Sequence, residues 1–291
     1  MLKYESIQEL VEEAEKRNVR ISQLVLEDQA ISMEKSEQEI YEKMEMSFQI
    51  MRESVQAGMN KDQKSTSGLT GGEGFLMNQY AMNNGGLSGS FMTKAIARAL
   101  SAACCNASMG KIVAAPTAGS CGILPGCLVS LFEDKGFEEK DIVMSMFTAA
   151  AFGMVIAARA SIAGAQGGCQ AECGSASAMA AAALVELSGG SPRQCADALA
   201  IALSSQMGLV CDPVAGLVEI PCIKRNASGM MIAFSSADMV LAGIDAKIPA
   251  DECLDAMAEV GECLPKSLKE TAKGGLATTP TGKKLRDRVF G

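Results

Sequence analysis

Apolar residues recur at helical spacing through the first part of the chain and then crowd into long, weakly charged runs, with the change near residue 64. Up to that point Glu and Lys are abundant. Ser6-Ile-Gln-Glu9 and Ser36-Glu-Gln-Glu39 read as capping boxes, in which side chains satisfy the free amides of a first helical turn. The second leads into Ile40, Met44, Ser47, Met51 and Val55, which share one face at this spacing. Residues 1–64 are therefore expected to form an amphipathic helical cap. Its apolar stripe has to cover something, either the rest of the chain or, as a docking arm, another subunit. Beyond it Ser90 to Met109 reads as a helix, Asp141 is placed to cap Ile142 to Ala163, and Gly174 to Leu187 is Ala-rich. Ser191-Pro-Arg-Gln194 opens a further helix, with Pro at its first position, that ends near Gly208. Asn226 to Ile244 and Asp251 to Cys263 continue the pattern, and Leu276 to Gly291 closes as a polar, basic tail. No strands alternate with these segments. The expected fold is mainly α, a compact bundle of Ala/Gly-rich buried helices with Gly/Pro-rich loops that bear ligands, residues 65–291 forming the main domain.

Composition sharpens this picture. Hydrophobic residues make up 48% of the chain but aromatics only 4%, with no Trp, so the core must be built from small residues and Met. Such a core favours helices at close range over a sheet that would want β-branched and aromatic residues. The net charge of -8 removes any electrostatic footprint for nucleic acid. Between Ile142 and Pro192 the only charges are Arg159, Glu172 and Glu186, a run long enough to span a bilayer. It is Ala/Gly/Ser-rich, however, and lacks basic or aromatic anchors at its ends, so buried core helices are expected. Eleven cysteines and an acidic, amphipathic N-terminus without the features of a secretory leader point to a reducing, cytoplasmic setting. There, cysteines in number mean metal more often than disulfides.

Two glycine-rich loops stand out. Gly68-Leu-Thr-Gly-Gly-Glu-Gly-Phe75 reads as a flexible turn or, more sharply, as a phosphate cradle, although it lacks the Lys-Ser/Thr of a P-loop and a preceding strand. Pro116-Thr-Ala-Gly-Ser-Cys-Gly-Ile-Leu-Pro125 offers the hydroxyls of Thr117 and Ser120 together with backbone amides around Gly119. That is a donor set suited to an anion such as a substrate carboxylate.

The stretch from Gly164 to Cys222 carries the remaining chemistry. Cys169, Cys211 and Cys222 lie among glycines and prolines, where backbone can approach a cluster closely. Zinc is the rival metal, but Cys169 and Cys173 have no matching second knuckle and the chain contains no His. Cys104, Cys105, Cys195, Cys253 and Cys263 fall in helical patterns and read as small buried hydrophobes, with Cys121 and Cys127 undecided.

Gly68-Leu-Thr-Gly-Gly, Ala115-Pro-Thr-Ala-Gly-Ser, Gly167-Gly-Cys-Gln-Ala-Glu-Cys, Gly208-Leu-Val-Cys-Asp-Pro-Val, Ile220-Pro-Cys-Ile-Lys-Arg-Asn and Gly274-Gly-Leu-Ala-Thr-Thr-Pro-Thr-Gly282 together resemble the α subunit of the bacterial iron-sulfur L-serine dehydratases. The resemblance covers almost the whole chain. It implies a 4Fe-4S cluster held by Cys169, Cys211 and Cys222 with one iron open to substrate, and residues 65–291 as the catalytic, cluster-binding domain. It also implies a separate β subunit and conversion of L-serine to pyruvate and ammonia. Some single-chain relatives end in a cysteine-bearing tail that reaches the site. This chain ends Arg288-Val-Phe-Gly291, so masking of the cluster by such a tail is not expected.

Within that resemblance, Gly71, Gly72, Thr117, Gly119, Ser120 and Asn226 are expected to bind or orient substrate. With no His available as general base, Lys224, two residues after a proposed ligand, is the first candidate for the proton acceptor, with Ser120 beside it as a catalytic hydroxyl. Glu172 could support the cluster from behind or cap the helix that follows. Two other classes fit less of the sequence: a non-catalytic cluster or zinc scaffold, and a pyridoxal-phosphate dehydratase with a Schiff-base Lys.

Overall fold

The computed structural model describes residues 3–291, and among them thirteen α-helices, several short 3-10 turns and one π-turn account for the regular structure. The only strand-like pairing among these residues is an isolated bridge between Cys211 and Lys269. Helices α1 (Ile7–Arg17), α2 (Ile21–Ser32) and α3 (Glu37–Gly58) come first, then α4 (Glu73–Asn84), α5 (Ser90–Ala107), α6 (Ile123–Lys135) and α7 (Glu139–Arg159). After the single turn α8 (Gly164–Gly167) follow α9 (Ser175–Leu187), α10 (Pro192–Ser204), α11 (Cys222–Leu241), α12 (Ala250–Cys263) and α13 (Pro280–Phe290).

Helix α9 is the axis of the bundle. Every residue from Ser175 to Glu186 is buried, and the helix packs on α6, α7, α10 and α11 at once. Its Ala-rich sequence makes this possible, because small side chains let neighbouring backbones approach. A Cβ on Gly229 of α11 would lie 2.7 Å from the Ser177 hydroxyl of α9, and one on Gly153 of α7 would lie 2.8 Å from Met179. Helix α7 has the length and apolarity to cross a membrane, yet two-thirds of its most apolar window, 67%, is buried against protein. It packs on α9 and α2 as a core helix. The N-terminal helices share the same hydrophobic cluster, with Leu10, Leu24 and Phe48 fully buried in it.

Local signals place most helix ends. Ser36 and Ser191 form complete capping boxes with Glu39 and Gln194. Ser6 accepts the Glu9 amide as expected, but the Glu9 carboxylate turns back to the Glu5 amide instead of that of Ser6. Asp141 does not cap α7. The helix starts three residues earlier, behind Glu138, and stops at Arg159, leaving Asp141 in a first turn whose dipole still favours its charge. The basic tail is itself structured: Thr279 caps α13, with its hydroxyl accepting the Gly282 amide at 3.0 Å. Cys263, expected in the core, is exposed at the end of α12.

One polar group spans the core margin. Arg98 of α5, 7% exposed, donates to Ser130, Glu133 and Asp134 of α6 at 2.9, 2.8 and 2.6 Å. Arg98→Met is expected to lower stability by about 2 kcal/mol in urea unfolding, because it leaves a partly buried carboxylate short of its partner while Glu133 stays half in water.

Candidate functional site

The three cysteines of the Gly164–Cys222 stretch come from three separate elements and meet beside α9. Cys169 follows Gly168, whose φ of 78° reverses the chain after α8, and precedes a π-turn over Gln170–Gly174. A π-turn beside a helix is uncommon and is frequently found at functional sites. Cys211 sits in the loop after α10, its amide donating to the Leu268 carbonyl and its carbonyl accepting from the Glu270 amide, both at 2.8 Å. The segment after α12 is thereby stitched to Cys211 on both sides. Asp212 adds to the strap, accepting the Leu276 amide at 2.8 Å. Cys222 is the first residue of α11 and not part of a turn, with Pro221 at the N-cap.

The sulfurs are buried, with Cys169, Cys211 and Cys222 at 2, 3 and 8% exposure, and all eleven cysteines are free thiols. Burial, followed by the charge of Cys169, pushes the thiols of Cys211 and Cys222 up, the latter to about 12. Cys169 is instead held below the usual thiol range, first by the neighbouring Cys173 and then, against the effect of burial, by Arg225. Cys169 is thereby within electrostatic reach of both Cys211 and Cys222. Among the described residues no three His, Cys, Asp or Glu side chains converge closely enough for a single ion.

Two charged residues surround these thiols: Glu172, which the sequence marked as a support or a helix cap, and Arg225, which it did not single out. The Arg225 guanidinium donates to the Val210 carbonyl and to Asp212, both at 2.8 Å, which fixes its positive charge beside Cys169 and Cys222. Its signal in the sequence was position: on α11 the residues at i, i+3 and i+4 share a face, and Cys222, Arg225 and Asn226 are that set. The Glu172 carboxylate lies on the other side, accepting from the Thr117 hydroxyl at 2.7 Å and lying 3.9 Å from the Cys211 sulfur. Burial pushes Glu172 above the usual carboxylate range, with Thr117 opposing and the charge of Glu270 adding to the rise. Glycines keep this space open. A Cβ on Gly164 would lie 2.5 Å from the Glu172 carboxylate and 3.0 Å from the Cys211 sulfur, and one on Gly119 would lie 3.2 Å from Glu172.

The Pro116–Pro125 loop delivers its residues to the same place. A 3-10 turn over Ala118–Ser120 presents amides at its start that have no partner within the turn. Thr117 faces Glu172, while Ser120 is fully buried behind it, its hydroxyl 3.2 Å from that of Thr117. Asn226, 1% exposed, spends its amide on the scaffold: it donates to the Gly119 and Cys222 carbonyls at 2.8 and 2.9 Å and accepts the Gly122 amide at 2.7 Å. It clamps the loop to the start of α11.

Other expected site residues are not brought together with the thiols. Lys224 is exposed, two positions on from Cys222 and so about 200° around the helix axis at 3.6 residues per turn. The loop carrying Gly71 and Gly72 is joined to this region through Glu219, which accepts from Ser67 and Thr70 at 2.8 and 2.9 Å. Glu219 is buried and escaped sequence reasoning, since nothing local marks it. A carboxylate under this loop disfavours a phosphate there, so the phosphate-cradle reading is not supported. The Gly71 Cβ position lies on the Gln63 carbonyl, which makes close backbone packing the reason for that glycine.

Comparison with known proteins follows the same lines. The family model described as serine dehydratase alpha chain matches residues 16–277. The chain is 45% identical over 288 residues to the probable L-serine dehydratase alpha chain of Bacillus subtilis strain 168, covering 99% of this chain and 96% of that one. It is 46% identical to the L-serine dehydratase alpha chain of Peptoniphilus asaccharolyticus over 280 residues, covering 96% and 95%. Against L-serine dehydratase 1 of Escherichia coli K12 the identity is 44% over 176 residues, 59% of this chain and 38% of the longer relative.

Proposed function

The chain belongs to the serine dehydratase alpha-chain family, and on that premise we infer that it converts L-serine to pyruvate and ammonia by β-elimination of water. The observation that carries the reading further is that Cys169, Cys211 and Cys222 are free, buried thiols on separate segments, with Cys169 within electrostatic reach of the other two. We assign these three as the ligands of a 4Fe-4S cluster. The donor set fits such a group: soft thiolates, a space kept open by Gly164 and Gly119, and a fixed Arg225 that offsets the negative charge three thiolates would bring. When bound, the cluster supplies an iron with an open position that polarises a substrate oxygen as a Lewis acid.

The chain's own residues account for orientation. The free amides at the start of the Ala118–Ser120 turn form a cradle for the substrate carboxylate, with Thr117 spending its hydroxyl proton on Glu172 beside it. Glu172, held by Thr117, presents a carboxylate to the substrate ammonium on the opposite side. Asn226 and Ser120 keep the cradle in register with Cys222, and Gly71 and Gly72 pack the loop that Glu219 ties to the same segment. Lys224 faces solvent, so the proton acceptor of this reading is not that amine. A separate beta subunit completes the assembly, since two relatives matched over almost their whole length are themselves named alpha chains.

Anaerobically prepared protein, combined with its partner chain, is expected to contain iron and sulfide, to absorb broadly in the visible, and to form pyruvate from L-serine. Air should bleach the absorption and the activity together. Protein without iron or sulfide would sink the cluster assignment, and a loaded cluster without serine-dependent pyruvate would favour a scaffold. Gly164→Ala gives a finer check. Its new methyl group displaces Glu172 and Cys211, and a displacement near 1 Å at a reacting centre costs roughly 100-fold in rate. Activity is expected to fall by about that factor while the far-ultraviolet circular dichroism stays unchanged.

A further inference from the structure

Of the two cysteines of the central stretch that the proposed function does not use, Cys173 and Cys195, Cys173 lies beside a proposed ligand. Its sulfur lies 3.5 Å from that of Cys169, and no other pair of sulfurs is in hydrogen-bonding contact among the described residues. We propose that Cys169 and Cys173 form a reversible thiol pair that closes to a disulfide when the cluster is lost under oxidising conditions, sparing a ligand cysteine from irreversible damage. The inference rests on the reading of Cys169 as a cluster ligand.

The geometry favours this pair over any other. Both cysteines are buried, at 2 and 1% exposure, on the same face of one turn. In an α-helix residues four apart hold their Cβ atoms about 5–6 Å from one another, and a disulfide needs roughly 3.5–4.5 Å. The backbone therefore has to tighten, and here it has room to do so. The intervening residues form a π-turn, and Gly167, Gly168 and Gly174 flank the two cysteines. Cys211 and Cys222 are instead held apart from Cys169 by their own elements, one by the strap at Leu268 and Glu270, the other by α11.

The chemistry balances with a peroxide as oxidant. Cys169 attacks hydrogen peroxide, the O–O bond breaks, and a sulfenic acid and one water result. The Cys173 thiol then attacks the Cys169 sulfur. The S–O bond breaks, the S–S bond forms, and the oxygen leaves as a second water carrying the thiol proton. Without Cys173 nearby, the sulfenic acid would react with a second hydrogen peroxide to give sulfinic acid and water, and ordinary reductants do not reverse that step.

The test uses the full chain, reconstituted anaerobically, stripped with a chelator and treated with one equivalent of hydrogen peroxide. Titratable thiols are expected to drop by two from eleven. A trypsin digest holds both cysteines in the peptide 160–193, and cleavage after Glu172 by a glutamyl endopeptidase separates them. The two fragments should stay joined until reduced. After a further two equivalents of peroxide, wild-type protein should regain iron, sulfide and visible absorption on reduction and reloading, whereas Cys173→Ser and Cys173→Ala should accumulate Cys169 sulfinic acid and fail to reload. A bond from Cys169 to Cys211 or Cys222, retention of all eleven thiols, or full reloading of both variants after peroxide would overturn the proposal. Failure of the cluster reading is separable, because it shows earlier as protein that never takes up iron and sulfide at all.

Discussion

Replacing Cys222 with serine is expected to reduce bound iron and sulfide to background and to lower pyruvate formation at least about 100-fold, since removing even an outer partner of a metal ligand costs 10- to 100-fold. The reason is ligand chemistry. A thiolate is a soft anion that iron-sulfur clusters require, whereas a serine hydroxyl stays protonated at neutral pH. Cys169→Ser and Cys211→Ser should behave alike. Cys195→Ser is the matched control: Cys195 is fully buried in α10, away from the site, so its hydroxyl costs about 1–3 kcal/mol of stability and leaves the cluster in place. Metal analysis and visible spectra of the four variants decide the matter. Full iron in any of the first three removes that residue from the ligand set.

Asn226→Ala is expected to be the most damaging change that touches neither thiol nor substrate. It orphans the Gly122 amide and the Gly119 carbonyl, two backbone groups at the buried junction of loop and helix, while the Cys222 carbonyl keeps its partner in the helix. Unsatisfied buried groups cost about 1–3 kcal/mol each and do not add in full, so a loss near 3 kcal/mol is expected. For a chain of this size that lowers the melting temperature by roughly 6–12 °C. Activity measured well below the transition should also fall at least about tenfold, because the Ala118–Ser120 cradle is no longer tied to Cys222. Asn226→Asp keeps the acceptor and loses both donors, and should fall between wild type and alanine in stability. If alanine raised KM and left the melting temperature unchanged, the amide would be touching substrate and not clamping the loop.

The fold class could be read with little else than periodicity and composition. Capping boxes at Ser36 and Ser191 act within four residues, and an Ala-rich, Trp-free core leaves close-packed helices as the available architecture. Helix boundaries were less legible. Glu138 starts α7 although Asp141 is the better cap by type, and the basic tail folds into α13 because Thr279 and Pro280 supply a cap and a first turn. Site residues divide along the same line. The cysteines were visible through their glycine and proline neighbours and through the family motifs. Glu219, Asp212 and Arg225 were not, since each acts through partners distant in the chain or on a face that sequence spacing alone does not orient.

The amino-acid sequence by itself determined a helical protein with a small-residue core, three cysteines in a special setting and a loop of hydroxyls able to meet an anion, because each of these depends on neighbours within a turn or two. Only the tertiary structure decided which way the side chains face. It turned Arg225 inward and Lys224 outward on adjacent positions of one helix, used up the amide of Asn226 on a loop more than a hundred residues away, and strapped Cys211 from both sides with the segment after α12. Those outcomes are set by contacts between elements far apart in sequence, whose closure is favoured only once the common core around α9 has formed.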